Sequence, residues 1–182
     1  AGSRKNKSNQ RKIKSITKNA AISKKYGQLL TRIVSYYKIE NILELGTSMG
    51  IGTAYLASGN PNGLVRTIEG CATIAQRANE NLNKLAIANY ELMVGEFSSH
   101  LSVDQKTYDL IYIDGNHQYQ PTIDYFKFAL EHSHDETVII FDDIYWSEEM
   151  ERAWANIKKD RSINVSIDLF QIGIICKRVG QR

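Results

Sequence analysis

Residues 41–59 read NILELGTSMGIGTAYLASG. An apolar run interrupted by one acid, Glu44, gives way to small residues and three glycines, then to an apolar stretch through Ala54, Tyr55 and Leu56. The pattern predicts a strand, a tight turn and a helix. In open α/β sheets, ligands sit past the carboxyl ends of the strands, where this turn lies. Gly46 and Gly50 let backbone approach a ligand closely. The spacing Gly46-x-x-x-Gly50-x-Gly52 departs from the dinucleotide pattern G-x-G-x-x-G, and no Lys-Ser/Thr follows as in a phosphate loop. A carboxylate just before the turn repels a pyrophosphate and suits a cationic ligand.

The same alternation continues along the chain. LVRTIEG (64–70), YELMVG (90–95), YDLIYIDG (108–115) and TVIIFDD (137–143) read as strands. Helices follow them through Ile74, Ala78, Leu82 and Leu85; near Phe97–Leu101; through Ile123, Phe126 and Leu130; and through Met150, Trp154 and Ile157. Five strand-then-helix units predict a doubly wound, mostly parallel sheet covered on both faces. The unbroken apolar character of YDLIYI and TVIIF agrees, because parallel strands are buried on both sides. INVSIDLF (163–170) and IGIICKR (172–178) have no helix between them and read as an antiparallel hairpin, giving a seven-stranded sheet. Dinucleotide folds are normally parallel to the end. Before the first strand, Tyr26, Leu29, Leu30, Ile33, Val34 and Tyr37 form one helical stripe from about Ser23, and residues 8–20 place Ile13, Ile16 and Ala20 at helical spacing.

The 182 residues suit one domain, read as a basic helical arm (1–22) and a main unit (23–182). Hydrophobic residues make up 42% and charged residues 24%, and no window approaches the length needed to cross a bilayer. Cys71 and Cys176 are too few for a disulfide framework. The polar, basic first residues contain no secretory core, so a reducing, cytoplasmic setting is expected. The first residue is not Met, which leaves a longer natural chain open. Residues 1–32 hold ten Lys/Arg and no acid, while the remainder carries 13 bases against 20 acids. A basic arm on an acidic body is one form of nucleic-acid binder. No aromatic interleaves the run to stack a base, which disfavours that reading against a solvated face or an arm docked on its own body.

Glu69 ends the second strand, 23 residues after Gly46, where an acid reaches the ribose of a bound nucleoside. Glu44 and Glu69 together fit a nucleoside carrying positive charge. With this, ILELGTSMGIGTAYLA, VRTIEG, YDLIYIDGNHQY and VIIFDD, in that order on matching strands, resemble the motifs of class I S-adenosylmethionine-dependent methyltransferases. More narrowly they resemble the small O-methyltransferase-like group related to catechol and caffeoyl-CoA O-methyltransferases, over roughly residues 25–178. The resemblance implies that Glu44, Gly46, Thr47, Ser48 and Gly50 cradle the methionine part of the cofactor. It implies that Glu69 holds the ribose, that Gly70 and Cys71 lie beside the adenine, and that Gly95, Glu96 and Phe97 flank it.

Asp114, Asp142 and Asp143 also fall at strand ends. Three carboxylates converging on one edge suit a hard cation such as Mg²⁺. Metal-dependent members of the resembled family carry Asp, then Asp-Asn; here Asp143 stands in the Asn position. The alternative is that Asp143 caps the next helix and Asp114 touches only the cofactor. His117 reads either as a general base or as a cap on the helix starting near Gln118. The catalytic candidates are therefore Asp114, His117 and Asp142. Tyr145 and Trp146 either wall the acceptor site or staple the next helix, and Trp154 reads as core. The resemblance implies methyl transfer to a hydroxyl of a small molecule. The rivals are an RNA methyltransferase docking through residues 1–32 and a non-catalytic nucleoside-binding protein. A DPPY-type motif of amino-nitrogen methylators is absent, with DGNH in its place. A homodimer is compatible with the sequence, and no membrane partner is expected.

Overall fold

The structure is a computed structural model, and it describes residues 22–177. The helix expected over 8–20 and nearly all of the basic arm lie outside the described residues. The chain first forms helix α1 (Lys24–Tyr37). It then alternates β1 (Asn41–Leu45), α2 (Ile51–Gly59), β2 (Leu64–Glu69), α3 (Ala72–Lys84), β3 (Tyr90–Val94) and α4 (Phe97–Leu101). The second half runs β4 (Tyr108–Ile113), α5 (Tyr119–Glu131), β5 (Ser133–Phe141) and α6 (Glu148–Ile157), and closes with β6 (Val165–Asp168) and β7 (Gly173–Cys176).

The seven strands lie in the order β3-β2-β1-β4-β5-β7-β6. Strands β1 to β5 pair in parallel, and β7 is antiparallel to both β5 and β6, so the expected terminal hairpin is present. The order turns back between β1 and β4, and a doubly wound sheet opens a crevice at such a switch point. Period-two alternation sends Leu43 and Leu45 to one face, with Ile111, Ile113, Phe141 and Trp154. Ile42 goes to the other, with Leu110, Ile140, Leu56 and the α1 residues Leu30 and Val34. Full burial of such side chains contributes about 1.5–3 kcal/mol each, enough to fix the register of the central strands.

Three sequence expectations change. The strand read from Thr137 begins earlier, because β5 already starts at Ser133. Tyr108 pairs with Ser133, but Leu110 already pairs with Val138, so the intervening residues bulge out of the ladder, and His134–Glu136 are exposed. Leu85, assigned to the apolar face of α3, caps that helix and is 60% exposed. Tyr37, at the end of the α1 stripe, is 45% exposed.

Candidate active site

Glu44 is the only charged residue in the buried part of β1. The pairing register places it in a row with Thr67 of β2 and Tyr112 of β4. Its side chain is 1% exposed. The Thr53 hydroxyl, arriving from α2, donates to Glu44 Oε2, and the Thr67 hydroxyl, itself 2.6 Å from that of Thr47, also supports the carboxyl. Burial dominates, opposed by these hydroxyls and reinforced by Asp114 and Glu69, and pushes the Glu44 pKa up to about 8. Glu44 lines a narrow cleft with Gly46, Thr47, Ser48, Gly52 and Asp114, roofed by Ile22, Met49 and Ile51.

The turn after β1 is shaped as much by its neighbour strand as by any ligand. Gly46 has φ +110°, and a Cβ there would lie 2.0 Å from the Asp114 carbonyl oxygen. A side chain at Gly52 would meet Glu44 Oε1 at 2.6 Å. The glycines therefore let β1, β4 and α2 close on Glu44. Gly50, with φ +80°, opens α2.

Glu69 ties the next turns together. Its Oε2 accepts the Ser48 N–H and its Oε1 the Cys71 N–H, both at 3.0 Å. Ser48 has φ +48°, so this bond holds a turn that a non-glycine residue seldom adopts unaided. Beyond it, the Gly95 N–H donates to the Glu69 carbonyl at 3.0 Å, bringing Gly70 and Gly95 side by side. Gly70, Cys71 and Glu96 are exposed along this edge. The Phe97 ring turns away from solvent, edge-on to Tyr125 with centroids 5.7 Å apart and against Gly115.

The second group of acids shares Asp114 with the cleft. His117 Nε2 lies 3.4 Å from Asp114 Oδ1 and 3.8 Å from Asp143 Oδ2. The imidazole thus faces carboxylates, and α5 begins with Gln118 at its cap position. Burial works against the charged ring, but Asp114, Asp143 and Asp142 outweigh it and raise the His117 pKa. Asp142 is 5% exposed. Tyr112 donates its hydroxyl to Asp142 Oδ2 at 3.1 Å, linking the two groups of acids. Asp142 Oδ1 is buried and meets no hydrogen-bond donor among the described residues. Burial first, then Asp114 and Asp143, raise the Asp142 pKa well above its ordinary value. Burial also raises Asp143, with His117 opposing. Ser147, not Asp143, caps α6, accepting the Met150 N–H.

All-oxygen donors and an orphaned carboxylate oxygen fit a hard divalent cation in charge and type. Among the described residues, however, no three His, Cys, Asp or Glu side chains are grouped to hold a metal ion.

Tyr145 and Trp146 are 40% and 38% exposed, so neither staples α6 to the core. Tyr145 donates to Asp168 Oδ2 at 2.7 Å and stacks on Phe170, centroids 5.5 Å apart. Trp154 is core, 2% exposed, with its Nε1–H bonded to Asp168. The sequence reading missed Thr53, Thr67, Tyr112 and Ile22. Thr67 and Tyr112 were legible in principle, since each is a polar-tipped residue at the register position opposite Glu44. Ile22 had no signal, because its place depends on how the chain enters α1.

The sequence matches a methyltransferase-domain family over residues 43–144, more than half of the chain, and the protein belongs to that family. It is 28% identical over 127 residues to a catechol O-methyltransferase of Mycobacterium tuberculosis, covering 68% of this chain and 57% of the relative. A catechol O-methyltransferase of Niastella koreensis is 28% identical over 130 residues, covering 68% and 58%. The chain thus spans less than two thirds of the length of these relatives. In fold it is similar to the O-methyltransferase TomG of Streptomyces achromogenes, solved with S-adenosylmethionine: TM-score 0.77, 21% identity, 88% of this chain and 83% of the other. It is also similar to a Bacillus cereus O-methyltransferase solved with S-adenosylhomocysteine: TM-score 0.75, 22% identity, 90% of each chain. No helix among the described residues is long and apolar enough to cross a membrane.

Proposed function

We propose that this protein is an S-adenosylmethionine-dependent O-methyltransferase acting on a hydroxyl of a small molecule. The observation that carries this reading is the cleft at the switch point. Its wall is the buried Glu44, Glu69 holds the Ser48 turn that lines it, and Asp114 opens it toward His117. Glu44, Gly46, Thr47 and Ser48 take the methionine end, and Gly50 shapes the turn beneath it. Glu69 takes the ribose, and Gly70, Cys71, Gly95 and Glu96 run beside the adenine; Phe97 supports that edge from behind. The relatives act as catechol O-methyltransferases by name, and the two structural neighbours hold the methyl donor or its demethylated product.

The acceptor oxygen bonds to the methyl carbon as the carbon–sulfur bond breaks, its electron pair staying on sulfur. The hydroxyl proton passes to the other ring nitrogen of His117, Nδ1, while its Nε2–H faces Asp114 and Asp143, which stabilise the imidazolium that forms. Most of the rate comes from alignment of the two reactants. Asp114, Asp142 and Asp143 would have to draw together to hold Mg²⁺, since they are not grouped as a metal site here; such an ion would lower the pKa of the acceptor hydroxyl. The exposed Tyr145 supplies an apolar wall on the acceptor side.

Calorimetry with S-adenosylmethionine, S-adenosylhomocysteine and NAD tests the cofactor. Binding of the first two and not of NAD is expected; NAD binding alone would remove the reading. Turnover of a catechol with and without chelator tests Mg²⁺, and indifference to chelator would remove the metal.

A further inference from the structure

A carboxyl deep in a protein is ordinarily ionised only when a cation accompanies it. Among the described residues, the groups that face Glu44 supply none. Thr53 comes from α2, Thr67 and Glu69 from β2, and Tyr112 and Asp114 from β4 and its turn. Two are hydroxyls, one is a phenol and two are acids. From the N-terminal side comes Ile22, which is apolar and 7% exposed. Among the described residues, the direction left open is the cleft, which Glu44 shares with Ser48, Gly52 and Asp114.

We propose that Glu44 carries a proton in the unliganded protein and releases it when the cationic amino-acid end of the ligand enters the cleft. This deepens the cofactor assignment above and rests on it. The exchange balances in charge. An ammonium arrives, the carboxyl proton leaves to solvent, and the buried site passes from neutral to an ion pair without ever holding a lone charge. The hydroxyls of Thr53 and Thr67 serve both states, donating to the carboxylate or accepting from the acid. The position of the carboxyl, with a pKa of about 8, puts the exchange in the neutral range. Affinity therefore falls as the pH drops below about 8, approaching tenfold per pH unit, because the proton competes with the ammonium for one group. Below about pH 7 the α-amino group of the ligand, with an ordinary value of about 7.7–8.0, stays charged, so the exchange is read there.

The test is calorimetry with S-adenosylhomocysteine at pH 6–7 in phosphate and in Tris, whose ionisation enthalpies differ. The dependence of the observed heat on buffer is expected to give about one proton released per ligand bound. Methylthioadenosine, which lacks the amino-acid end, is expected to bind with no release. Glu44→Gln, nearly the same shape, is expected to bind S-adenosylhomocysteine more weakly, without release and without pH dependence. Thr53→Val, which removes the donor to Oε2 and not the carboxyl, is expected to move the midpoint of the pH dependence upward. Binding of S-adenosylhomocysteine by the wild type without proton release overturns this proposal and leaves the cofactor assignment standing. Release that persists in Glu44→Gln assigns the proton to another acid and also overturns it. Failure of every nucleoside to bind overturns the cofactor assignment and this proposal together.

Discussion

Glu44 sits where an aliphatic residue would stabilise the fold more. Its register partners are a threonine and a tyrosine, and its raised pKa means that folding holds a proton which the unfolded chain, with a pKa near 4.5, releases. The folded state binds more protons, so the stability linked to Glu44 is fully present below about pH 4.5 and is lost as pH rises toward about 8. Glu44→Gln removes that loss. Its urea-melting free energy is expected to exceed the wild type's by about 1–3 kcal/mol at pH 8.5, with the difference closing near pH 5. Equal melting at both values would mean that the carboxyl is not held in a desolvated place. A second residue-scale prediction concerns His117. Asp114 is its nearest carboxylate, 3.4 Å away against 3.8 Å for Asp143. Asp114→Asn is expected to lower the imidazole pKa toward its ordinary value, and Asp143→Asn to lower it less, as read by proton NMR titration of the ring. An unmoved ring would place His117 outside the acid cluster.

At the scale of the element, one acid far from the cleft holds the beginnings of three strands. Asp109, early in β4, accepts the backbone N–H groups of Glu40 and Asn41 at 2.9 and 2.8 Å, where β1 begins. Its other oxygen lies 2.9 Å from His134 Nε2, on the bulged start of β5. Partial burial raises its pKa, but the donors of Asn41, His134 and Glu40 prevail and hold it below the ordinary carboxylate value. A depressed acid stabilises the fold above its unfolded pKa, near 4, and that stability is lost as pH falls through the lower folded value. Asp109→Ala is expected to cost about 1–3 kcal/mol at pH 7 and to flatten the acid limb of the stability curve. A variant that unfolds with the wild type's acid midpoint would deny the staple. The same region shows where sequence reading failed. Strand β5 is apolar on both faces only from Val138 onward, and its first half carries His, Asp and Glu. Alternation reports burial, and a strand segment bulged into water has none to report.

At the scale of the whole molecule, the order of strands was legible because five strand-then-helix units and a helix-free final pair leave few ways to build one sheet. The site was legible as strand-end acids, but not as two linked groups. The tie from Glu44 through Tyr112 to Asp142 depends on which strands become neighbours, and β1 and β4 stand 68 positions apart where Asn41 meets Asp109. That topology has a thermodynamic consequence. The cleft lies on the seam between β1, β2 and β3 on one side and β4, β5, β7 and β6 on the other. A ligand there touches turns from both halves and binds only when they are assembled, so it stabilises the native state as a unit. At one hundred times its dissociation constant, S-adenosylhomocysteine is expected to add about 2.7 kcal/mol. For a chain of this size that is a rise in melting temperature of roughly 5–10 °C. NAD at the same concentration is expected to add nothing. The rise should also shrink between pH 8 and pH 6, because Glu44 must first lose its proton. Hydrogen exchange supplies the spatial check: amides at the ends of β1 and β4 should slow together with ligand bound. Slowing confined to one half of the sheet would place the ligand away from the seam.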